Sequence, residues 1–180
     1  MKLGIFGGSF DPIHLGHLLV AQAAMEELGL DKLFFIPAAQ SPFKPDDKPA
    51  PAAVRLQLLR RALAGKTNCE VDEQEIRRGG ISYSIETLRD YAKKNPAAKL
   101  FYLIGADNVS KLNEWCEADE LAKLAEFVAI PRPGGHKQTG RDTNQSFAHV
   151  FSFLDWTKPG SLVPTRSPIS IYQKAFPTCN

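Results

Sequence analysis

Four things are scarce in this chain, and each scarcity narrows the class of protein. Cysteine occurs only at Cys69, Cys116 and Cys179. Odd in number and far apart, these fit neither a zinc cluster nor a disulfide-stapled small domain, and read as reduced thiols. Long apolar runs are missing: none approaches the roughly 20 residues that span a bilayer. The run from Met1 to Phe6 is broken by Gly4 and Gly7 before it could act as a signal peptide. Charge of one sign is not in excess, with 22 Lys and Arg against 20 Asp and Glu, a formal +2 spread along the chain. No basic arm marks nucleic acid as the main partner. Internal repeats and interdomain linkers are also lacking, so residues 1–180 read as one domain, soluble and cytoplasmic, without a nucleic-acid or membrane partner. Oligomeric state is not legible.

What is present is an alternation of short apolar strands and amphipathic helices. Lys2 to Phe6 predicts a buried strand, followed by a glycine turn and a helix from about His14 or Leu15. In that helix Leu18, Ala21, Met25 and Leu28 fall three or four apart, and Gly29 marks its end. Leu33 to Ile36 predicts a second strand, closed by Pro37. A loop rich in proline and charge runs from Ala38 to Pro51, of the kind that covers a site. Val54, Leu58, Leu59 and Ala62 outline the next helical stripe. Cys69 to Val71, Leu100 to Ile104, Phe127 to Ile130 and Val150 to Phe153 read as strands. Ser84 to Lys94 and Leu121 to Ala125 read as helices. Little regular structure is predicted beyond Lys158, where prolines recur. The order predicts an α/β fold with a mostly parallel sheet and helices on both faces. Such sheets bind ligands beyond the carboxyl ends of their strands. That places Gly7 to His17, the 38–51 loop, Gly105-Ala106-Asp107 and Arg132-Pro133-Gly134 along one rim.

The first turn carries the chemistry. Gly7 and Gly8 let the backbone turn sharply and approach a ligand closely, and a helix N-terminus immediately after favours phosphate. The turn lacks the Gly-Lys-Ser/Thr ending of a P-loop and the spacing of a dinucleotide fingerprint. It has instead two imidazoles, His14 and His17, three apart at a helix start with Gly16 between them. Phosphoryl and nucleotidyl transfer need positioning and charge stabilisation rather than a protein nucleophile, and this pair suits that need. A capping role for His14 and a packing role for His17 are the alternatives. A metal site is a poor third, because two histidines have no evident third ligand near them.

At these residues the sequence resembles the nucleotidylyltransferase superfamily marked by a His-x-Gly-His signature, and within it the bacterial nicotinate-nucleotide adenylyltransferases. The resemblance covers roughly residues 1–135. It rests on GGSFDPIHLGH (7–17), Pro42-Phe43-Lys44, SYSIETL (82–88), Ile104-Gly105-Ala106-Asp107, Trp115 and Arg132-Pro133-Gly134. It implies a Rossmann-like nucleotidyltransferase fold, transfer of the adenylyl group of ATP to nicotinate mononucleotide, and Mg²⁺ bound with ATP rather than in a dedicated cage. It implies catalytic roles for His14, His17 and Lys44, and ATP binding by Gly7, Gly8, Ser9, Phe10 and Gly16. Ser84, Thr87, Gly105, Asp107, Trp115 and Arg132 would bind the nicotinate nucleotide. Ser84 stands where the family usually has threonine, and Trp115 would stack on the pyridine ring.

The pattern breaks near the C-terminus. The family carries a second signature there, Ile-Ser-Ser-Thr-x-x-Arg, which also holds ATP phosphates. This chain reads Ile169-Ser170-Ile171-Tyr172-Gln173-Lys174, without the threonine or the arginine, and a lysine lacks the guanidinium fork. The segment after about residue 158 is therefore expected to be altered or truncated, with catalysis weakened. A related transferase with another phosphate acceptor, and a nucleotide-binding protein without catalysis, are the competing readings.

Overall fold

A computed structural model describes residues 1–43, 48–130, 151–154 and 162–164. Strand β1 (Lys2–Gly8) leads into helix α1 (Leu15–Leu28), and β2 (Lys32–Pro37) into α2 (Ala52–Ala62). Then come β3 (Cys69–Val71), α3 (Gln74–Arg78), α4 (Ser84–Lys94), β4 (Lys99–Gly105) and a 3₁₀ helix (Ala106–Glu114). Helix α5 (Ala118–Leu124) and strands β5 (Glu126–Ile130), β6 (Phe151–Leu154) and β7 (Leu162–Pro164) complete the described elements. The sheet order is β3-β2-β1-β4-β5-β6-β7. All neighbouring pairs are parallel except β6 and β7. The chain builds outward from β1 to β3 and returns to place β4 on the other side of β1. The crevice between the carboxyl ends of β1 and β4 is thus a topological switch point, where open α/β sheets bind ligands.

Both faces of the sheet are covered, and the strands show why they are apolar throughout. In β4, Leu100, Tyr102 and Ile104 enter the core beneath α4 and α5, while Phe101 and Leu103 enter the core beneath α1 and α2. In β5, Phe127 and Ala129 alternate with Val128 and Ile130 in the same way. Helix α1 starts at His14 and ends at Gly29 in the left-handed conformation (φ 59°), with Leu30 N–H donating to Met25 O at 3.0 Å.

One sequence expectation needs correction. The buried side of α2 is Arg55, Leu56 and Leu59, whereas Val54 is exposed, because an arginine rather than an aliphatic residue fills the inner position. Beyond Lys158 the described residues are those of the three-residue strand β7. Cys69 is a free thiol, as read, and Cys179 lies outside the described residues. No helix among the described residues is long and apolar enough to cross a membrane.

Candidate active site

The turn after β1 is built around aromatic packing. Phe10 is almost fully buried at φ 45°, a left-handed conformation that a side chain larger than glycine adopts only when its surroundings hold it there. Its ring lies edge-on to Phe6 at 5.4 Å and against Phe35 at 5.6 Å. The third neighbour is His17, 5.1 Å away, which also packs on Phe6 at 5.9 Å. The turn is thus pinned to β1, β2 and α1 at once. His17 is half-buried and His14 exposed.

The two imidazoles stack at the helix start, with ring centroids 3.8 Å apart. His14 N–H donates to His17 Nδ1 at 3.3 Å, and His17 N–H donates to His14 O at 3.0 Å. With the first of these bonds made, a neutral His17 ring carries its hydrogen on Nε2. Gly16 keeps the space between them open: a Cβ there would stand 3.1 Å from Cε1 and Nδ1 of His14, and the ring would have to give by a few tenths of an ångström. His14 thus occupies the N-cap position, and the ring that accepts a backbone N–H there is that of His17. Gly8 is closed by Phe10, whose ring atoms would lie 3.3 to 3.5 Å from an added Cβ. Gly7 is closed from the other side, with Tyr102 Oη 2.4 Å from the same construction.

Across the switch point, Ser84 opens α4 and its Oγ lies 2.8 Å from the hydroxyl of Tyr102, which is itself buried. Burial pushes the Tyr102 phenol well above its ordinary range, with the nearby Glu75 charge adding to it. Trp115 caps the 3₁₀ helix, with its ring 6.0 Å from Tyr102, 6.4 Å from Phe127 and 6.1 Å from Phe43 of the loop after β2. Gly105 ends β4, and Asp107 is exposed in the first turn of the 3₁₀ helix. Gly7, Gly8, Ser9, Phe10, His14, Gly16, His17, Ser84, Gly105, Asp107 and Trp115 thus come from the carboxyl ends of β1 and β4 and the segments beside them. Lys44 and Arg132 lie outside the described residues, as does the Ile169 to Lys174 stretch.

Thr87 lies deeper than the other residues named for the acceptor. It is fully buried, donating to Glu75 Oε1 at 2.6 Å and accepting from Arg78 Nη2 at 3.2 Å. Its helical position, one turn inside Ser84, turns it into the wall behind the pocket rather than onto its surface. The residue that sequence reasoning missed there is Glu75, almost completely buried. Glu75 also accepts from Ser82, whose Oγ in turn accepts the Ala39 N–H at 2.8 Å. The loop after β2 is tied through Ser82 to the same carboxyl. A short charged stretch before two glycines gave no period by which to place Glu75 inside.

Burial raises the Glu75 pKa above the ordinary carboxylate range, outweighing the hydrogen bonds from Thr87 and Ser82 and the Arg78 charge. A folded-state pKa above the unfolded value means that this group favours folding most when protonated. Its contribution is full below the ordinary carboxylate pKa and is lost as pH rises through the raised value. Glu75→Gln keeps an acceptor for Thr87 and removes the titration. Thermal melts of the variant are expected to lose part of the wild-type decline in stability as pH rises from the ordinary carboxylate range toward neutrality. Parallel pH profiles for the two proteins would rule this out.

Among the described residues no group of three or more His, Cys, Asp or Glu is placed to hold a metal ion. The polar groups of the first turn are imidazoles and backbone amides, which suit phosphate oxygens.

A family model described as cytidylyltransferase-like matches residues 5–173. The chain is 43% identical over 134 residues to a probable nicotinate-nucleotide adenylyltransferase of Opitutus terrae, covering 74% of this chain and 69% of that protein. It is 39% identical over 153 residues to a protein of the same description from Gloeobacter violaceus, covering 83% and 74%. The fold is similar to that of the Plasmodium falciparum nicotinic acid mononucleotide adenylyltransferase complexed with NaAD, with a TM-score of 0.70 over 84% of this chain and 73% of that one. Identity in that last pair is 17%, so the likeness speaks for architecture. The sequence matches, which extend far beyond the His-x-Gly-His turn, place the chain in the cytidylyltransferase-like family and, within it, among the nicotinate-nucleotide adenylyltransferases.

Proposed function

We propose that the chain transfers the adenylyl group of ATP to nicotinate mononucleotide, giving deamido-NAD and pyrophosphate, a step of NAD biosynthesis. The observation that carries this reading is the stacked His14 and His17 pair at the start of α1, set across the switch point from Ser84 and Trp115. One side of the crevice suits phosphates and the other a flat, polar-edged ring. A phosphate oxygen of the mononucleotide attacks the α-phosphorus of ATP, the bond to the bridging α–β oxygen breaks, and pyrophosphate leaves with that electron pair. His14 and His17, with Lys44, stabilise the charge that builds on the phosphoryl oxygens. Gly7, Gly8, Ser9, Phe10 and Gly16 form the ATP-facing turn. Ser84 meets the pyridine carboxylate, Trp115 the ring face, and Gly105, Asp107 and Arg132 the rest of the acceptor. Mg²⁺, bound with ATP, would neutralise part of the phosphate charge beside His14 and His17. The reading takes residues 1–180 as one nucleotidyltransferase domain with an atypical segment after about 158.

Pyrophosphate release and product chromatography test it, with nicotinate mononucleotide, nicotinamide mononucleotide and phosphopantetheine offered in turn beside ATP. The expected result is deamido-NAD formed with the highest kcat/KM of the three. Faster turnover on another acceptor would reassign the substrate, and ATP binding without any product would favour the binding-protein reading. Because the threonine and arginine of the second signature are missing, turnover is expected below the ordinary enzyme range. A kcat of about 1 per second or more would show that the altered tail costs nothing.

A further inference from the structure

Arg55 is a charged residue that the mechanism above does not use, and it is 2% exposed. Its guanidinium reaches three backbone carbonyls from three separate segments. Nη1 donates to Ser9 O at 2.7 Å and to Ala38 O at 2.9 Å, and Nε donates to Ala50 O at 2.9 Å. Ser9 belongs to the turn after β1, Ala38 follows β2, and Ala50 precedes α2. A second link joins the same pieces, since Ala50 N–H donates to Asp11 Oδ2 at 2.7 Å. Ala38 N–H in turn donates to Gly8 O at 2.9 Å.

Three carbonyls from loops cannot find partners in a sheet ladder or a helix, and buried without donors each would destabilise the fold. A solvent-exposed salt bridge is no substitute, because the geometry is set by a planar fork with fixed donor directions. The place where this fork acts is functional rather than remote. Ser9 stands between the glycines and Phe10, whose ring packs on His17. Ala38 is the residue from which the 38–51 loop departs.

We propose that Arg55 is a positioning residue for adenylyl transfer: by holding the Ser9, Ala38 and Ala50 carbonyls together it sets the glycine turn, and through Phe10 the His17 ring, in register with the ends of β2 and α2 that flank it. The inference rests on the assignment of adenylyl transfer to this site. Its effect is expected mainly on the ATP side of the crevice, because Ser9 adjoins the glycines and Phe10; the loop that leaves Ala38 reaches the acceptor side only further on, through Ala39 to Ser82 and Phe43 to Trp115.

The test compares wild type, Arg55→Met and Arg55→Lys in steady-state assays with both substrates varied, each rate corrected for the folded fraction from thermal melts. Arg55→Met is expected to lower kcat about 100-fold, the size of effect that misplacement by about 1 Å produces. KM for ATP should rise, with KM for the mononucleotide within about threefold of wild type. Arg55→Lys keeps the charge and part of the carbonyl bonding, and should recover about 10-fold of the loss. A merely structural arginine would lower melting temperature and leave kcat per folded molecule unchanged, and that result overturns the proposal. Should Arg55→Met not fold, Arg55→Lys decides alone: a kcat lowered about 10-fold supports positioning, and a wild-type kcat overturns it. If wild type itself made no deamido-NAD, the assigned reaction would fall. Wild-type turnover with unaffected Arg55 variants would sink only the present inference.

Discussion

Replacing His17 with alanine is expected to lower kcat by about 10²- to 10³-fold, the effect of removing one preorganised donor from a developing oxyanion. His17 is the better placed of the two imidazoles for this role. Its ring is held between Phe6 and Phe10, and its Nδ1 is committed to the His14 N–H. Ring orientation is thus set before any ligand arrives, and little reorganisation is left for the moment of transfer. His14 is exposed and constrained mainly by stacking on His17, so His14→Ala should cost less in kcat and more in KM for ATP. His17→Asn offers a neutral donor of different reach and is expected to fall between wild type and alanine. Steady-state kinetics on the three variants, beside thermal melts, separate chemistry from packing. If His17→Ala melted earlier but turned over at the wild-type rate, the ring would be a core residue and no more.

The sheet and its helices were legible because their signal is periodic. Ser84 to Lys94 was bounded correctly, and the inward alternation of β4 and β5 follows from apolar runs that both faces of a parallel sheet require. The first turn was legible for another reason: two histidines and three glycines within eleven residues make a pattern that core packing does not need. What stayed hidden was polar and long-range. Arg55 reads as the outer side of α2 until three carbonyls from loops are seen converging on it. Thr87 belongs by motif to the pocket, and only burial against Glu75 moves it behind the wall. The 3₁₀ helix that carries Asp107 to Trp115 has no apolar stripe of 3.6-residue period, so nothing in the sequence marked it. Local pattern therefore located the reacting groups, while the groups that hold them came from contacts between distant segments.

Gly7→Ala is expected to abolish most activity, and the reason differs from the one the sequence suggests. A glycine after β1 is ordinarily read as making room for a phosphate. Here the added methyl would meet protein first: it would sit 2.4 Å from Tyr102 Oη and 3.3 Å from Cζ. The tyrosine cannot yield cheaply. It is 5% exposed, packs against Phe127 at 5.3 Å and bonds Ser84 Oγ at 2.8 Å. Either β1 moves away from β4, opening the switch point, or the phenol swings and takes Ser84 with it. Overpacking of this kind costs about 1–3 kcal/mol of stability, and the displacement falls on both substrate sides of the crevice. Tyr102→Phe removes the nearer atom. Alone it should cost about 1 kcal/mol for the lost hydrogen bond and leave the turn in place. Combined with Gly7→Ala it should restore stability and kcat above the Gly7→Ala values, because the remaining 3.3 Å approach to Cζ can be relieved by a few tenths of an ångström. A double-mutant cycle on melting temperature and kcat reads the coupling directly. Additive losses in the cycle would mean that Gly7 is needed for the ligand alone. A rescue would show that the turn and the acceptor wall share one packing contact, so that the glycine sets the width of the crevice as well as its access.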